Sequence, residues 1–393
     1  METTQAFRGL DCTGCGASFD ANEHGRCPEC GGSLDPAYDY DAVEPGDLLG
    51  RTSDDGPGHW RYDALLPFPA TGGLSANEGD TPLVRTDRLA EELGVAAAYV
   101  KDEGRNPTGT VLDRGMSVVA TAAADRGLEP LALAAAGNAG QSAAAYAGRA
   151  DLRSYAFVPS RTAFSNKAMV NVHGGDMRVV GGRYADAAAA VDDQLETEYH
   201  SLQEFTTPYR HEGAKTIAFE LFADVGVPDA VVVPVGTGEL LVGVVKGFRE
   251  LRAVGATESL PSVYAVQPEG CAPIATAWQA GADAVEAWTR PDTIVGELEI
   301  EEPAGGDRAL AALADADGDA FAVPDADALE SAVTVAQSEV LEVGGPGGVA
   351  LAGAWRLAEE GDLDAAEEVV VVNPDAGGKT PDVLRSHLMG KGI

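Results

Sequence analysis

Positive charge is scarce in this chain. Its 393 residues include 63 acidic side chains but only 27 lysine and arginine residues, six of them lysine, so the formal net charge is −36. Binding to a phosphate backbone needs a basic surface, so the deficit argues against nucleic acid, and it argues equally against anionic membranes. We interpret the excess acid as a solvated surface suited to a salt-rich cytoplasm, where ions screen the self-repulsion.

Long apolar runs are also missing. Stretches such as residues 230–235 have the length of a strand and are too short to span a bilayer. Residues 1–5 show neither a basic start nor an apolar segment, so they do not resemble a signal peptide. Hydrophobic residues nevertheless make up 45% of the chain, which is typical of a globular protein. The sequence therefore predicts a two-domain cytoplasmic protein.

Cysteine is rare, and four of the five cysteines lie in one segment. Cys12 and Cys15 form one C-x-x-C pair and Cys27 and Cys30 form the next, with Gly14 within the first pair and glycines just after both. Such glycines permit tight turns in which backbone amides face the thiolates. Disulfides would instead need an oxidising compartment. The spacing predicts a structural Zn²⁺ held by these four cysteines in a ribbon over residues 1–35.

Beyond the ribbon, apolar runs of strand length alternate with glycine loops and helical patterns. Strands are predicted at residues 97–100, 131–136, 155–158, 178–180, 230–235, 263–266 and 369–372. Helices are predicted at residues 184–195 and 240–249 and in an alanine-rich segment that ends at Arg149. This alternation indicates an α/β fold with parallel sheets covered by helices. We interpret residues 309–320, which are rich in alanine and aspartate, as a loose excursion.

The run over residues 100–116 carries the most informative pattern. It reads VKDEGRNPTGTVLDRGM and resembles the active-site segment of threonine synthases, a family of pyridoxal-phosphate (PLP) enzymes whose pattern is K-D-E-G-x-N-P-T-G-S-F-K-D-R-G-M. In the family, the second lysine holds PLP as a Schiff base. Its position here is Leu112. A leucine has no nitrogen, so it can neither form the imine nor move a proton.

Four further segments resemble the same family in the same order. They are residues 60–67 (WRYDALLP), 78–83 (EGDTPL), 136–140 (AGNAG) and 208–216 (PYRHEGAKT). The resemblance implies a fold-type-II PLP architecture like that of the tryptophan synthase β subunit, with two αβα domains and parallel-type sheets around a central cleft. The implied bounds are residues 36–110 and 205–393 for the large domain and 111–204 for the small domain.

The resemblance also implies which residues hold the cofactor. These are Asn138, Gly236, Thr237, Gly238 and Asn373. The family asparagine at position 138 contacts the phenolic oxygen, and the loop at 236–238 presents helix-start amides to the phosphate. Asn373 or Pro374 replaces the family threonine that bonds the pyridine nitrogen. Asparagine could keep that bond, and proline could not.

Thr108, Arg114 and Arg210 are the substrate-binding residues that the resemblance implies. Two glutamates stand beside these positions where the family binds phosphate groups. Glu204 replaces an asparagine that helps to hold the phosphate of O-phosphohomoserine, and it could pair with Arg210 instead. Glu239 replaces a glycine of the cofactor-phosphate loop, where it either repels phosphate or caps the helix.

Three functional interpretations follow. In the first, a threonine synthase-like protein has lost its Schiff-base chemistry and is a pseudoenzyme or a small-molecule binder in the cleft, associated with itself or with an active relative. In the second, the chain is a working threonine synthase of amino-acid metabolism that converts O-phosphohomoserine to threonine and phosphate, with Lys101 or free PLP compensating for Leu112. In the third, the zinc ribbon is an adaptor for a protein partner.

Overall fold

The computed structural model describes residues 2–49, 55–195 and 199–391. The chain forms two compact units, which we call unit 1 and unit 2. Unit 1 comprises Met1–Asp80, Leu112–Glu220 and Lys246–Glu258, and unit 2 comprises Thr81–Val111, Leu221–Val245 and Ser259–Ile393. The ribbon, large-domain and small-domain bounds that the sequence suggested stay a prediction.

The regular elements of the described residues alternate as an α/β chain should. The strands are β1 (Phe7–Cys12), β2 (Ser18–Phe19), β3 (Leu34–Tyr38), β4 (Leu83–Arg85), β5 (Ala97–Asp102), β6 (Leu131–Ala134), β7 (Ser154–Pro159), β8 (Asp176–Val180), β9 (His200–Ser201), β10 (Ala230–Pro234), β11 (Ser262–Pro268), β12 (Asp319–Val323) and β13 (Glu368–Asn373). The helices are α1 (Pro45–Leu49), α2 (Asp87–Leu93), α3 (Leu112–Arg126), α4 (Asn138–Arg149), α5 (Phe164–Val172), α6 (Tyr184–Leu195), α7 (Arg210–Val225), α8 (Glu239–Ala253), α9 (Pro273–Gln279), α10 (Gly306–Asp315), α11 (Asp325–Glu339), α12 (Gly345–Glu360) and α13 (Pro381–Gly390). Every strand and helix predicted from the apolar pattern is present.

Unit 1 contains two separate sheets. A parallel sheet has the order β8-β7-β6-β9, and α4 and α6 pack against its central strands. Its strand β6 is buried throughout because helices cover it, whereas most of the edge strand β8 is exposed. The second sheet is antiparallel, with the order β2-β1-β3, and contains the cysteine segment.

Unit 2 is built on one six-stranded sheet with the order β12-β11-β10-β13-β5-β4. Only β4 runs antiparallel to its neighbour. The central strands β10 and β13 are runs of buried valine, as expected for parallel strands covered on both faces, and α12 packs along them and β11. The predicted α/β fold with parallel-containing sheets is therefore confirmed.

The interpretation of residues 309–320 as a loose excursion is wrong. Helix α10 and strand β12 occupy this segment, and β12 pairs in parallel with β11. Composition was misleading here, because the aspartates mark the ends of two regular elements. Ala309, Leu310 and Leu313 have helical spacing and are buried. No helix of the described residues is long and apolar enough to cross a membrane.

Candidate functional site

The four ribbon cysteines converge on one point of unit 1. Their sulfur atoms all lie within 4.8 Å of one another. The Sγ atoms of Cys12 and Cys30 are 3.4 Å apart, and those of Cys15 and Cys27 are 3.8 Å apart. Sulfurs bound to one tetrahedral zinc at the usual Zn–S distance are about 3.8 Å apart. The donor set therefore fits a single Zn²⁺, which these four side chains would hold.

Backbone amides support the thiolate form of this cluster. The amides of Gly14 and Cys15 point to the sulfur of Cys12 at 3.4 and 3.5 Å, and the amide of Gly32 points to Cys30 at 3.4 Å. The bonds from Cys15 and Gly14 lower the pKa of Cys12 to about 6. Backbone amides also lower the pKa of Cys15 and Cys30, but the neighbouring thiols raise it further, so the net shift of both is upward. Because zinc binds deprotonated cysteine, the turn at Cys12 favours the metal, and Cys15 and Cys30 would release their protons when it binds.

Leu112, at the position of the family lysine, is the first residue of α3 and is half-buried. The residues after it are held firmly within unit 1. Asp113 accepts a hydrogen bond from Ser142 of α4 at 2.6 Å. Arg114 makes two hydrogen bonds to the carboxylate of Glu220, at 2.7 and 2.8 Å, and both side chains are buried. The start of α3 is therefore fixed to two neighbouring helices, although Leu112 supplies no reactive group.

Two glycines bring the starts of α3 and α7 together. A Cβ on Gly115 would lie 2.5 Å from the carbonyl oxygen of Arg210, and Gly213 leaves no room for a Cβ against the backbone of Arg114. Only glycine permits this close approach of two helix backbones. The crossing places Arg114 and Arg210, two predicted substrate-binding residues, on adjoining turns, but their role in substrate binding stays a prediction.

Glu204 pairs with Arg210, as the sequence suggested it could. The carboxylate accepts a hydrogen bond from Nη1 of Arg210 at 2.9 Å, one from the Tyr184 hydroxyl at 2.9 Å and one from Nε2 of Gln203 at 2.5 Å. Both members of the ion pair are buried. A carboxylate with three donors is a well-satisfied internal anion. The guanidinium of Arg210 is thus already bound to an anion that belongs to the chain.

The predicted cofactor residues lie at the carboxyl edges of the two parallel sheets, where ligands of open α/β sheets bind. In unit 1, Asn138 begins α4 shortly after β6 and is buried. In unit 2, Gly236, Thr237 and Gly238 follow β10, and Asn373 ends the adjacent strand β13.

The loop after β10 ends in Glu239, the first residue of α8. Its side chain is only 6% exposed, so it does not extend into solvent. The backbone amide of Glu239 lies 3.5 Å from the hydroxyl of Thr237, and the carbonyl of Thr237 accepts a hydrogen bond from the amide of Gly305. The predicted cradle therefore carries a buried carboxyl group beside the glycines.

Asn373 is held in place by Asp102, which ends the neighbouring strand β5. Its amide nitrogen donates to the carboxylate at 2.9 Å, while its buried amide oxygen has no hydrogen-bond partner among the residues that the structure describes. The loop that contains the buried Thr108 lies at the same edge, because the amide of Val111 donates to the carbonyl of Pro374. Unit 2 thus brings together Thr108, Asn373 and the 236–238 loop at one edge of its sheet.

The residues present do not fit PLP held as a Schiff base at position 112. Lys101, the suggested substitute, lies in β5 with its side chain fully buried, and its amine donates to the backbone carbonyl of Thr81 at 2.6 Å. Lys215 and Lys246 are engaged with buried carboxylates in unit 1. The polar groups named for the ring and phosphate would have to hold the cofactor without a covalent bond.

Sequence reasoning missed a second group of buried charges in unit 1, which we call the charge cluster. Its members come from β3, α7 and α8. They are Asp35, His211, Glu212, Lys215, Lys246 and Glu250. The sequence signals were the helical spacings between Glu212 and Lys215 and between Lys246 and Glu250. His211 is buried and contacts Asp35 through Nε2.

The lysines neutralise the carboxylates of the charge cluster. Lys215 lies 2.6 Å from Glu212 and 2.9 Å from Glu250, and Lys246 lies 2.6 Å from Glu212 and 3.1 Å from Asp35. Burial raises the pKa of Glu250 to about 7, against the opposing influence of the two lysines. The cluster joins β3, which follows the last cysteine pair, to the helical part of unit 1.

Comparisons with known proteins agree with this geometry. Residues 74–375 match the family described as pyridoxal-phosphate dependent enzyme. The threonine synthase of Methanosarcina acetivorans is 34% identical over 92% of this chain and 90% of its own length. That of Methanocaldococcus jannaschii is 34% identical over 94% of this chain and 93% of its own length. The solved structure of the processed form of threonine deaminase isoform 2 from Solanum lycopersicum, 20% identical, matches the fold with a TM-score of 0.70 over 88% of this chain and 92% of that chain.

Proposed function

Because the chain belongs to the family of pyridoxal-phosphate dependent enzymes and has threonine synthases as relatives, we propose that it is a threonine synthase-like protein without Schiff-base chemistry. In this proposal it is a pseudoenzyme or a repurposed binder of a small molecule. The single observation that carries the proposal is Leu112. The Schiff-base amine is both the anchor of the cofactor and a proton carrier, so its loss removes most of the expected catalysis.

The environment of Lys101 supports the proposal. Lys101 is buried in a strand and bonded to the Thr81 carbonyl, and moving its amine to a cofactor would leave that carbonyl without this donor. Such a loss of a buried hydrogen bond costs about 1–3 kcal/mol.

The Glu204–Arg210 pair supports the same proposal from a different direction. A substrate phosphate at Arg210 would have to displace a buried carboxylate that has three donors. Breaking one side of a buried ion pair costs about 3–5 kcal/mol. A phosphate ester therefore competes poorly for this arginine.

An absorption spectrum with added PLP, before and after borohydride, tests the proposal. We expect the wild-type chain to show the spectrum of free PLP and no label on any lysine. The variant Leu112→Lys should gain a borohydride-trapped label at residue 112, and Leu112→Met, which has similar volume and no amine, should not. A borohydride-sensitive band in the wild-type protein, with the label mapped to a lysine, would overturn the proposal.

The alternative is an active threonine synthase, and the names of the relatives favour it. Release of phosphate from O-phosphohomoserine measures this activity directly. We expect no release above background from the wild-type chain. Release from the wild type, abolished by Lys101→Met, would establish the alternative. Phosphate release by Leu112→Lys measures the effect of restoring the amine alone. The further gain in Leu112→Lys/Glu204→Asn measures the effect of freeing Arg210 from its pair with Glu204.

A further inference from the structure

Unit 2 contains a pocket whose lining residues were not assigned to cofactor or substrate. Its volume is about 310 Å³, within the range of sites that hold small ligands. It is lined by Asp102, Gly104, Arg105, Val340, Glu342 and Ala376. The pocket therefore lies beside the ends of β5 and β13, on the side formed by the loop that precedes α12.

The pocket presents one positive and one negative group that the chain itself leaves available. Nε of Arg105 donates to Asp102 at 3.0 Å, and its two terminal nitrogens have no hydrogen-bond partner among residues 2–49, 55–195 and 199–391. The carboxylate of Glu342 is exposed and likewise has no partner within that part of the chain. Asp102 differs, because it is buried and its oxygens accept from Gly104, Arg105 and Asn373. Arg105 and Glu342 are thus the two groups open to a ligand.

An apolar wall completes the pocket. Val340 exposes 87% of its surface and has φ of +59°, in the left-handed region. Val340 is the C-cap residue of α11, a position at which the left-handed conformation is common. Ala376 adds a methyl group to the same lining. The apolar area is small, so it matches a short aliphatic side chain.

We propose that this pocket binds a free α-amino acid with a small aliphatic side chain. Arg105 binds the carboxylate, Glu342 binds the ammonium group, and Val340 and Ala376 contact the side chain. A zwitterion supplies a counter-ion to both groups at once. A simple carboxylate leaves Glu342 without a counter-ion, and a simple amine leaves Arg105 without one. Asp102 takes only Nε of Arg105, so the two terminal nitrogens are the ones that would bind the ligand carboxylate, although the buried carboxylate shares the positive charge of this arginine.

This proposal goes beyond the proposed function and is independent of it. None of the lining residues supplies the family Schiff base, and the binding reaction needs no PLP. A ligand on Arg105 would nevertheless act on Asp102, which also holds Asn373. Occupancy of the pocket is therefore expected to change the environment of the carboxyl end of β13.

Isothermal titration of the full-length chain with L-valine tests the proposal. We expect saturable binding with one site per chain. Isobutylamine, which lacks the carboxylate, and 3-methylbutanoate, which lacks the ammonium group, should each bind at least about tenfold more weakly, because each forfeits one charge-assisted interaction. Arg105→Gln and Glu342→Gln should each weaken the binding of L-valine by a similar factor.

Matched controls come from exposed charges of unit 2 that do not line the pocket. Arg290→Gln and Glu359→Gln remove the same charges and should leave the affinity for L-valine unchanged. Melting curves check that all four variants fold. Absence of saturable binding by the wild type would overturn the proposal. So would equal affinity for L-valine and isobutylamine, or equal weakening by the pocket and control variants.

Discussion

Unit 1 contains two groups of metal-ligand side chains near the start of β3. The cysteine cluster precedes β3, and the charge cluster includes Asp35 within β3. In each, ligand atoms of at least three residues lie within 4.8 Å of one another. By the proximity of ligand atoms alone, both groups would qualify as metal sites.

The contacts around the ligand atoms distinguish the two groups. The sulfurs of the cysteine cluster receive only backbone amides and neighbouring thiols among the described contacts. In the charge cluster, the amine of Lys246 lies 2.6 Å from Glu212 and 3.1 Å from Asp35. The lysine amine therefore occupies the position from which a metal would act. The cysteine cluster has no internal cation among its described contacts, so it fits a metal site. The charge cluster already has the lysine amines as its counter-ions.

Loss of a ribbon cysteine gives the largest expected effect. Cys12→Ser should abolish stoichiometric zinc and unfold the ribbon, because structural zinc contributes about 10 kcal/mol or more to the folding of small zinc domains. Elemental analysis and limited proteolysis of residues 2–35 measure the two effects. Cys271→Ser, which changes the isolated buried cysteine of unit 2, is the control and should retain one zinc per chain. Equal zinc content in both variants would mean that Cys12 is not a zinc ligand and that the cysteine cluster is not distinguished by a metal.

Removal of one cation from the charge cluster should have the next largest effect. Lys215→Met leaves Glu212 and Glu250 buried with one amine fewer, so the free energy of unfolding should fall by about 3–5 kcal/mol. Urea denaturation provides the measurement. Lys391→Met is the control, because its pair with Glu330 is exposed and contributes about 1 kcal/mol or less. Zinc content should be unchanged, and loss of zinc in Lys215→Met would show that the two clusters are not separate sites.

The titration of Glu250 gives the charge cluster a pH dependence of stability that does not involve a metal. Burial raises its folded-state pKa to about 7 from the ordinary 4.5. Between these values the folded state binds more protons than the unfolded state, so the stabilisation present at low pH is lost as pH rises to 7. Glu250→Gln should remove this slope. Urea unfolding of the wild type and the variant at pH 5 and pH 7.5 provides the measurement. If the free energy of unfolding changes equally with pH in both proteins, the assignment to Glu250 is wrong.

Two aspartates near β3 give the smallest and most closely matched comparison. Asp35→Asn weakens contacts to His211 and Lys246 and should lower the free energy of unfolding by about 1–3 kcal/mol. Asp39→Asn affects only an exposed pair with Arg8 and should change it by about 0.5 kcal/mol or less. Thermal unfolding of both variants is the measurement. The two aspartates are similarly exposed, at 27% and 33%, so equal effects would mean that the buried partners of Asp35 add nothing to its contribution.

The features that could be predicted from the sequence were local. The cysteine pairs can be recognised because the four ligands lie within 19 residues of one another. Strands β10 and β13 can be recognised because these buried parallel strands consist mostly of valine. The charge cluster could not be predicted, since Asp35, Glu212 and Lys246 are far apart in sequence and each is unremarkable on its own. The pairing of Glu204 with Arg210 was accessible only because the resemblance had already marked both positions.

The charge cluster also bears on how the N-terminal ribbon can be separated from the rest of the chain. A cut after residue 35 looks clean in the sequence, yet Asp35 lies on the removed side and its partners His211 and Lys246 lie on the other. Tyr38, just beyond the cut, bonds to Glu212 through its hydroxyl. Truncation would therefore expose the buried charged partners of Asp35 and Tyr38, and it would not detach an independently folded domain. The cysteine-containing segment is part of unit 1, so a search for a partner of this segment is better made with surface substitutions than with a deletion.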